Sequence, residues 1–162
     1  MPKSLRVLLL LALPVLFMAS VQAEPVAVLE GEAGLVTLET RVTQRVVRQD
    51  DSGAEEIVYL EDTWLAPGAI LRYELIVHNQ AADEAVAADS LVITSPLPEG
   101  VRFLEGLRPS GQVEFTLSGD GGGTFQAPSE VAAETVTHLR WRLQESLPPE
   151  GRRTFAFEAR LL

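Results

Sequence analysis

The sequence predicts an all-β sandwich, and three observations predict it. Short runs of β-branched and aromatic residues alternate with polar ones at period two, Gly- and Pro-rich turns separate them at regular intervals, and no amphipathic helical stretch follows the first 23 residues. The clearest run is Ile-Leu-Arg-Tyr-Glu-Leu-Ile-Val-His-Asn from Ile70 to Asn79, opened by the Pro67-Gly68 turn. Leu71, Tyr73, Leu75 and Val77 fall on one face of it, which is therefore a buried face.

The first 23 residues stand apart. Lys3 and Arg6 precede an apolar run from Val7 to Met18, and Val21-Gln22-Ala23 supplies the small residues of a cleavage site. This pattern predicts a secretory signal peptide over 1–23 and a single domain over 24–162. An uncleaved anchor is the alternative, but Pro14 interrupts the run, which also falls short of the ~20 residues a spanning helix needs. No stable membrane span is expected after cleavage.

Removal of that segment leaves 11 basic residues, all arginine, against 23 carboxylates, a net charge of −12. Such a field repels phosphate backbones and anionic lipid surfaces, so nucleic acid is excluded as a partner. The absence of cysteine excludes disulfides, thiolate metal sites and a cysteine nucleophile. Stability must then come from the apolar core.

In chain order, Pro25–Leu29 is a short apolar run that suits an edge strand. From Leu35 to Arg48 the apolar residues Val36, Leu38, Val42 and Val46 share one face, with Glu39, Arg41, Thr43 and Arg45 on the other, which is expected to face water. Gln49 to Ala54 is turn chemistry and Glu55 to Trp64 is again extended, so the two form a hairpin. Its first strand is long, which predicts a bend or a ribbon whose tip near Asp51 projects from the body. After the Ile70–Asn79 strand, the alanine-rich segment Gln80–Asp89 reads as a loop. Ser90–Ser95 is a further strand, ended by Pro96-Leu97-Pro98-Glu99-Gly100.

Val101–Leu104 is extended, and Gln112–Ser118 turns Val113, Phe115 and Leu117 inward. Gly119-Asp120-Gly121-Gly122-Gly123 reads as a hairpin loop and as the most flexible point of the mature chain; no lysine follows it, which argues against a phosphate cradle. Val136–Leu143 places Leu139, Trp141 and Leu143 inward, and Phe155, Phe157, Ala159 and Leu161 mark the last strand. Eight or nine such strands predict an immunoglobulin-like β-sandwich, with a closed barrel as the alternative. An outer-membrane barrel is disfavoured, because too few strands and no aromatic girdles are present.

Several of these residues carry a resemblance. Pro67-Gly68 followed by Leu71, Tyr73, Leu75, Val77 and Asn79, then Leu97-Pro98-Glu99-Gly100-Val101-Arg102-Phe103, then Trp141 and Leu147-Pro148-Pro149-Glu150-Gly151 form an ensemble. Over 64–162 the chain resembles the bacterial "domain of unknown function 11" repeat family, in a single copy. It departs from that family's pattern in Ser95-Pro96, where an Asp often precedes the Leu-Pro turn. The resemblance implies an immunoglobulin-like, extracytoplasmic, non-catalytic module without a cofactor.

No catalytic, cofactor-binding or metal-ligating residue is assigned. His78 and His138 lack a third ligand at metal-like spacing, and Asp50-Asp51, Glu55-Glu56 and Glu61-Asp62 lack the glycine-centred loop of a Ca²⁺ site. Asn79 reads as a strand-end residue that bonds neighbouring backbone. The expectation is an exported, non-catalytic module of the cell envelope, periplasmic or extracellular, with a structural or protein-binding role. Its partners would be envelope proteins met through the hairpin tip 49–54, the loop 119–123 or a strand edge. The alternative is a small envelope hydrolase using acidic residues.

Overall fold

The computed structural model describes residues 28–30, 36–61, 64–107 and 111–162; the expected leader over 1–23 lies outside them. The described residues form strands β1 (Val28–Glu30), β2 (Val36–Gln49), β3 (Glu55–Leu60), β4 (Ile70–Asn79), β5 (Val92–Pro96), β6 (Val101–Leu107), β7 (Val113–Ser118), β8 (His138–Leu143) and β9 (Arg152–Leu161). Two single 3-10 turns, Pro128–Glu130 and Ala133–Thr135, are the only helical elements among the described residues. The strands make two antiparallel sheets, ordered β3-β2-β4-β9-β6 and β1-β5-β8-β7, which is the expected β-sandwich.

The wiring is nested. β4 pairs with β9, and inside that pair β5 pairs with β8 on the opposite sheet. In the immunoglobulin order the corresponding pairs cross, so the two-layer sandwich is as expected while its connections differ in detail. The nesting places the last strand inside the five-stranded sheet, between the central β4 and the edge strand β6.

Between the sheets lies one core, and the aromatic residues organise it. Tyr73 on β4 and Phe157 on β9 are register partners whose rings stack 4.7 Å apart at 5°. From the facing sheet, Trp141 approaches Phe155 at 5.9 Å and Phe157 at 6.3 Å, and its own sheet neighbour Phe115 stacks on it at 5.3 Å. Leu71, Tyr73, Leu75, Val77, Trp141, Phe155 and Phe157 are all buried in this cluster, so the three period-two faces read from the sequence do meet. Gly106 is required by the same packing: a Cβ there would overlap the Phe115 ring.

Asn79 closes one end of the sandwich. Its Nδ2 donates to the carbonyls of Glu84 (2.8 Å), Pro148 (3.1 Å) and Leu147 (3.3 Å), and its Oδ1 accepts from the Ala81 amide (3.1 Å). Buried polar groups need such partners, so one side chain ties the end of β4 both to the loop that follows it and to the loop at Leu147 and Pro148, far away in sequence. The Gln80–Asp89 segment is irregular, as expected, and is joined to Leu147 by an isolated bridge at Val86.

The β2–β3 hairpin is where alternation changes meaning. β2 pairs with β4 from Val36 to Arg45 and with β3 from Gln44 to Gln49, so that from Val46 onward it pairs with β3 alone. The hairpin therefore leaves the body as a ribbon, as its length predicts. Up to Leu38 the even positions are the more buried, but at Val42 and Thr43 the order inverts, with Val42 36% exposed and Thr43 only 7%. Thr43 and Arg45 were expected to face water. They are covered instead because the ribbon curls over the outer face of β4 and β9, where Arg45 Nη1 lies 3.3 Å from Glu158 Oε2 and the Tyr59 hydroxyl donates to Glu158 Oε1 at 3.2 Å. Coverage on this side explains why Ala156 and Glu158 on β9 are buried although they point away from the core.

Candidate functional site

The two loops expected to be most free are internally braced. At the hairpin tip, Asp50 Oδ1 accepts from the Ser52 hydroxyl (2.7 Å), the Ser52 amide (2.8 Å) and the Ala54 amide (2.9 Å), while Gly53 supplies the positive φ. These donors, the Ser52 hydroxyl first, hold the Asp50 carboxyl below its ordinary pKa. In the glycine loop, Asp120 Oδ1 accepts from the Ser118 hydroxyl (2.7 Å) and the Thr124 amide (2.9 Å), and its Oδ2 accepts from the Thr124 hydroxyl (2.8 Å). The Ser118 oxygen accepts from the Gly122 amide at 2.9 Å, and Thr137 Oγ1 accepts from the Gly121 amide at 2.9 Å.

The Asp120 carboxyl is accordingly held well below its ordinary range, by the Ser118 hydroxyl before the Thr124 groups. Gly119–Gly123 does act as a hairpin loop, because Leu117 and Gln126 bridge across it. It is not the loose segment that its glycine content implied. Asp120, with the hydroxyls of Ser118 and Thr137, replaces solvent as partner of the backbone amides there, a turn-building role.

The other candidates are dispersed. His78 lies on the outer face of the five-stranded sheet and His138 on the four-stranded one, so the two imidazoles belong to opposite sides of the molecule. No group of three metal-ligating side chains occurs among the described residues. Asp51, Glu55 and Glu56 are exposed, Glu61 approaches Arg41 at 3.7 Å, and Asp62 lies outside the described residues. Ser90 donates to the Ala87 carbonyl at 2.6 Å and Ser95 to the Pro96 carbonyl at 3.2 Å, which are local backbone bonds.

Two features escaped the sequence reading. The first is the exposed apolar surface of the ribbon: Val47 (54%) and Ile57 (47%) are register partners, and Tyr59 and the 87%-exposed Trp64 add aromatic surface. β3 is also the outermost strand of its sheet, so its far edge has no strand partner among the described residues. The second is a polar concavity of about 290 Å³ on the outer face of the four-stranded sheet, lined by Glu114, Thr116, Gly123, Phe125, Arg140 and Arg142. Register sets Arg140 between Thr94 and Thr116, and Arg142 between Val92 and Glu114. The loop after Gly123 folds back so that the Phe125 ring lies 3.6 Å from the Arg140 guanidinium carbon. Comparisons with protein-family models, curated proteins and solved structures give no match to this chain.

Proposed function

We propose that the chain is an exported, non-catalytic β-sandwich module of the cell envelope that works by protein contact. The observation that carries this reading is the β3 edge. A strand edge offers unpaired backbone groups, and natural sheets ordinarily protect such edges with charge, proline or a covering segment. Here Ile57 and Tyr59 stand exposed on the edge strand beside Val47, with Trp64 a few residues on. Strand addition by a partner would satisfy the backbone row and cover these side chains together.

Glu55, Glu56 and Glu61 flank the apolar centre of the edge, so a second copy in antiparallel pairing would bring carboxylates together. A partner strand with basic flanks fits better. The hairpin tip 49–54 lies beside this edge, while the loop 119–123 is on the other sheet. Export is supported by the Lys3/Arg6, Val7–Met18 and Val21-Gln22-Ala23 pattern, and the resemblance over 64–162 points to the same compartment.

The test joins the two claims. Intact-mass measurement of the envelope fraction is expected to show a chain beginning at Glu24; a chain retaining Met1 contradicts cleavage. A photo-crosslinker at position 57 is expected to capture an envelope protein that the same probe at position 78 does not. Equal capture at both positions, or turnover of an envelope glycan by the purified protein, would overturn the contact reading.

A further inference from the structure

We propose that the concavity on the β7–β8 face binds a small hydroxylated carboxylate of the sugar-acid class, with Arg140 as its anchor. Four described arginines are half-buried: Arg45, Arg72, Arg140 and Arg153. Three of them meet a carboxylate, Arg45 at Glu158, Arg72 at Glu74 and Arg153 at Glu145. Arg140 has no carboxylate within ion-pair distance among the described residues, although acidic side chains outnumber basic ones in the chain by 23 to 13. A half-buried guanidinium without a carboxylate beside it leaves its charge free to meet an anion from solution.

The group is also held in position. Its Nε donates to Thr94 Oγ1 at 3.0 Å, and Phe125 covers one face at 3.6 Å, a cation–π contact that restricts rotation. The Nε hydrogen bond goes to Thr94, and Arg140 lines the concavity, which leaves its terminal N–H groups for a ligand there. Two terminal N–H groups in one plane suit a carboxylate, which accepts two parallel bonds.

Three observations refine the ligand. Arg142 lies two residues along the same strand face, about 7 Å away at strand rise, and its contact with Glu114 is loose at 3.9 Å. It can contribute a second positive charge to the rim. Next, the remaining lining is hydrogen-bonding rather than apolar: the Thr116 hydroxyl donates or accepts, the Glu114 carboxylate accepts, and Gly123 brings backbone close. These groups match ligand hydroxyls. Finally, the volume of about 290 Å³ lies at the low end of ligand sites, which run from about 300 Å³ upward, and so fits one ring rather than a chain. The acidic field and Glu114 together disfavour phosphate dianions and polyanions.

The experiment is an NMR titration of the purified protein with galacturonate, galactose, acetate, inorganic phosphate and a blocked Gly-Glu-Gly peptide. Galacturonate is expected to shift the Arg140 Nε–H and the amides of Thr116, Gly123 and Phe125, with binding weakened by salt. Galactose and acetate, each carrying half of the recognition, are expected to bind at least about tenfold more weakly. Arg140→Gln is expected to lose the response; Thr116→Val, which keeps every charge, is expected to weaken galacturonate but not acetate. If Arg140→Gln does not fold, the Thr116→Val contrast decides.

Acetate binding as well as galacturonate would overturn the proposal in favour of a simple counter-ion site. Tighter binding of the peptide or phosphate would overturn the sugar-acid assignment, and absence of shifts at Arg140 would overturn the site. None of these outcomes bears on contact through β3, which lies on the other sheet.

Discussion

The sandwich body and the β2–β3 ribbon are built from the same alternating residues, yet they use alternation differently. In the body, β4 presents Leu71, Tyr73, Leu75 and Val77 to a facing sheet, and one buried face suffices. Beyond Thr43 the ribbon has no facing sheet; it buries Arg45 against Glu158 and leaves Val47 and Ile57 in water. Side-chain period tells which residues share a face. Which face is covered depends on what packs there, and this is decided by parts of the chain far away in sequence.

The contrast implies that the body carries the stability, and the largest test of it is Trp141→Ala. The indole is fully buried against Phe115, Phe155 and Phe157, so truncation is expected to cost about 3 to 5 kcal/mol in urea unfolding. A loss below about 1 kcal/mol would mean the core is not centred there.

Next in size is Asn79→Ala. It strips the donor from three loop carbonyls and leaves the Ala81 amide unpaired, an expected cost of about 2 to 3 kcal/mol measured the same way. A near-neutral result would place the closing of that end of the sandwich elsewhere.

Glu158→Gln probes the ribbon's attachment. It keeps shape while removing the charge that meets Arg45, and because Arg45 is 28% exposed the expected loss is about 1 to 2 kcal/mol, below that of a fully buried pair. The sharper readout is local: crosslinking or proteolysis within 44–60 should rise while the core transition moves little. Equal effects on ribbon and core would break the distinction between them.

The smallest effect concerns the braced glycine loop. Hydrogen bonds hold the Asp120 carboxyl below its unfolded pKa, so the native state binds fewer protons, and the contribution is present above about pH 4 and is lost as pH falls through the folded value. Asp120→Asn is expected to lower stability near neutrality, where the contribution is fully present, and to flatten its fall in that acid range. A profile that keeps its acid slope would show that the loop carboxylate is not tied as described.

Most of the body was legible in the sequence because its strands carry their own evidence. The Leu71 to Val77 face, the inward Leu139, Trp141 and Leu143, and the bonding role of Asn79 each follow from a few adjacent residues. The rest depended on distant partners. Nothing near Glu158 announces that Arg45 and Tyr59 will reach it. The concavity was hidden in the same way, since Phe125 meets Arg140 only after the chain has folded back at Gly123. The glycine run misled because its composition permits mobility, while Asp120 within it and the hydroxyls of Ser118 and Thr137 beside it supply the bonds that restrain it.

Native-state hydrogen exchange tests the division between body and ribbon most directly, because it reads opening free energy amide by amide. The expected result is two levels: amides of β4, β8 and β9 exchange only through global unfolding, while those of Val46–Gln49 and Glu55–Val58 exchange through a smaller, local opening with weak denaturant dependence. Ribbon amides that exchange only with the core would contradict it, and would make the hairpin an integral part of the sandwich.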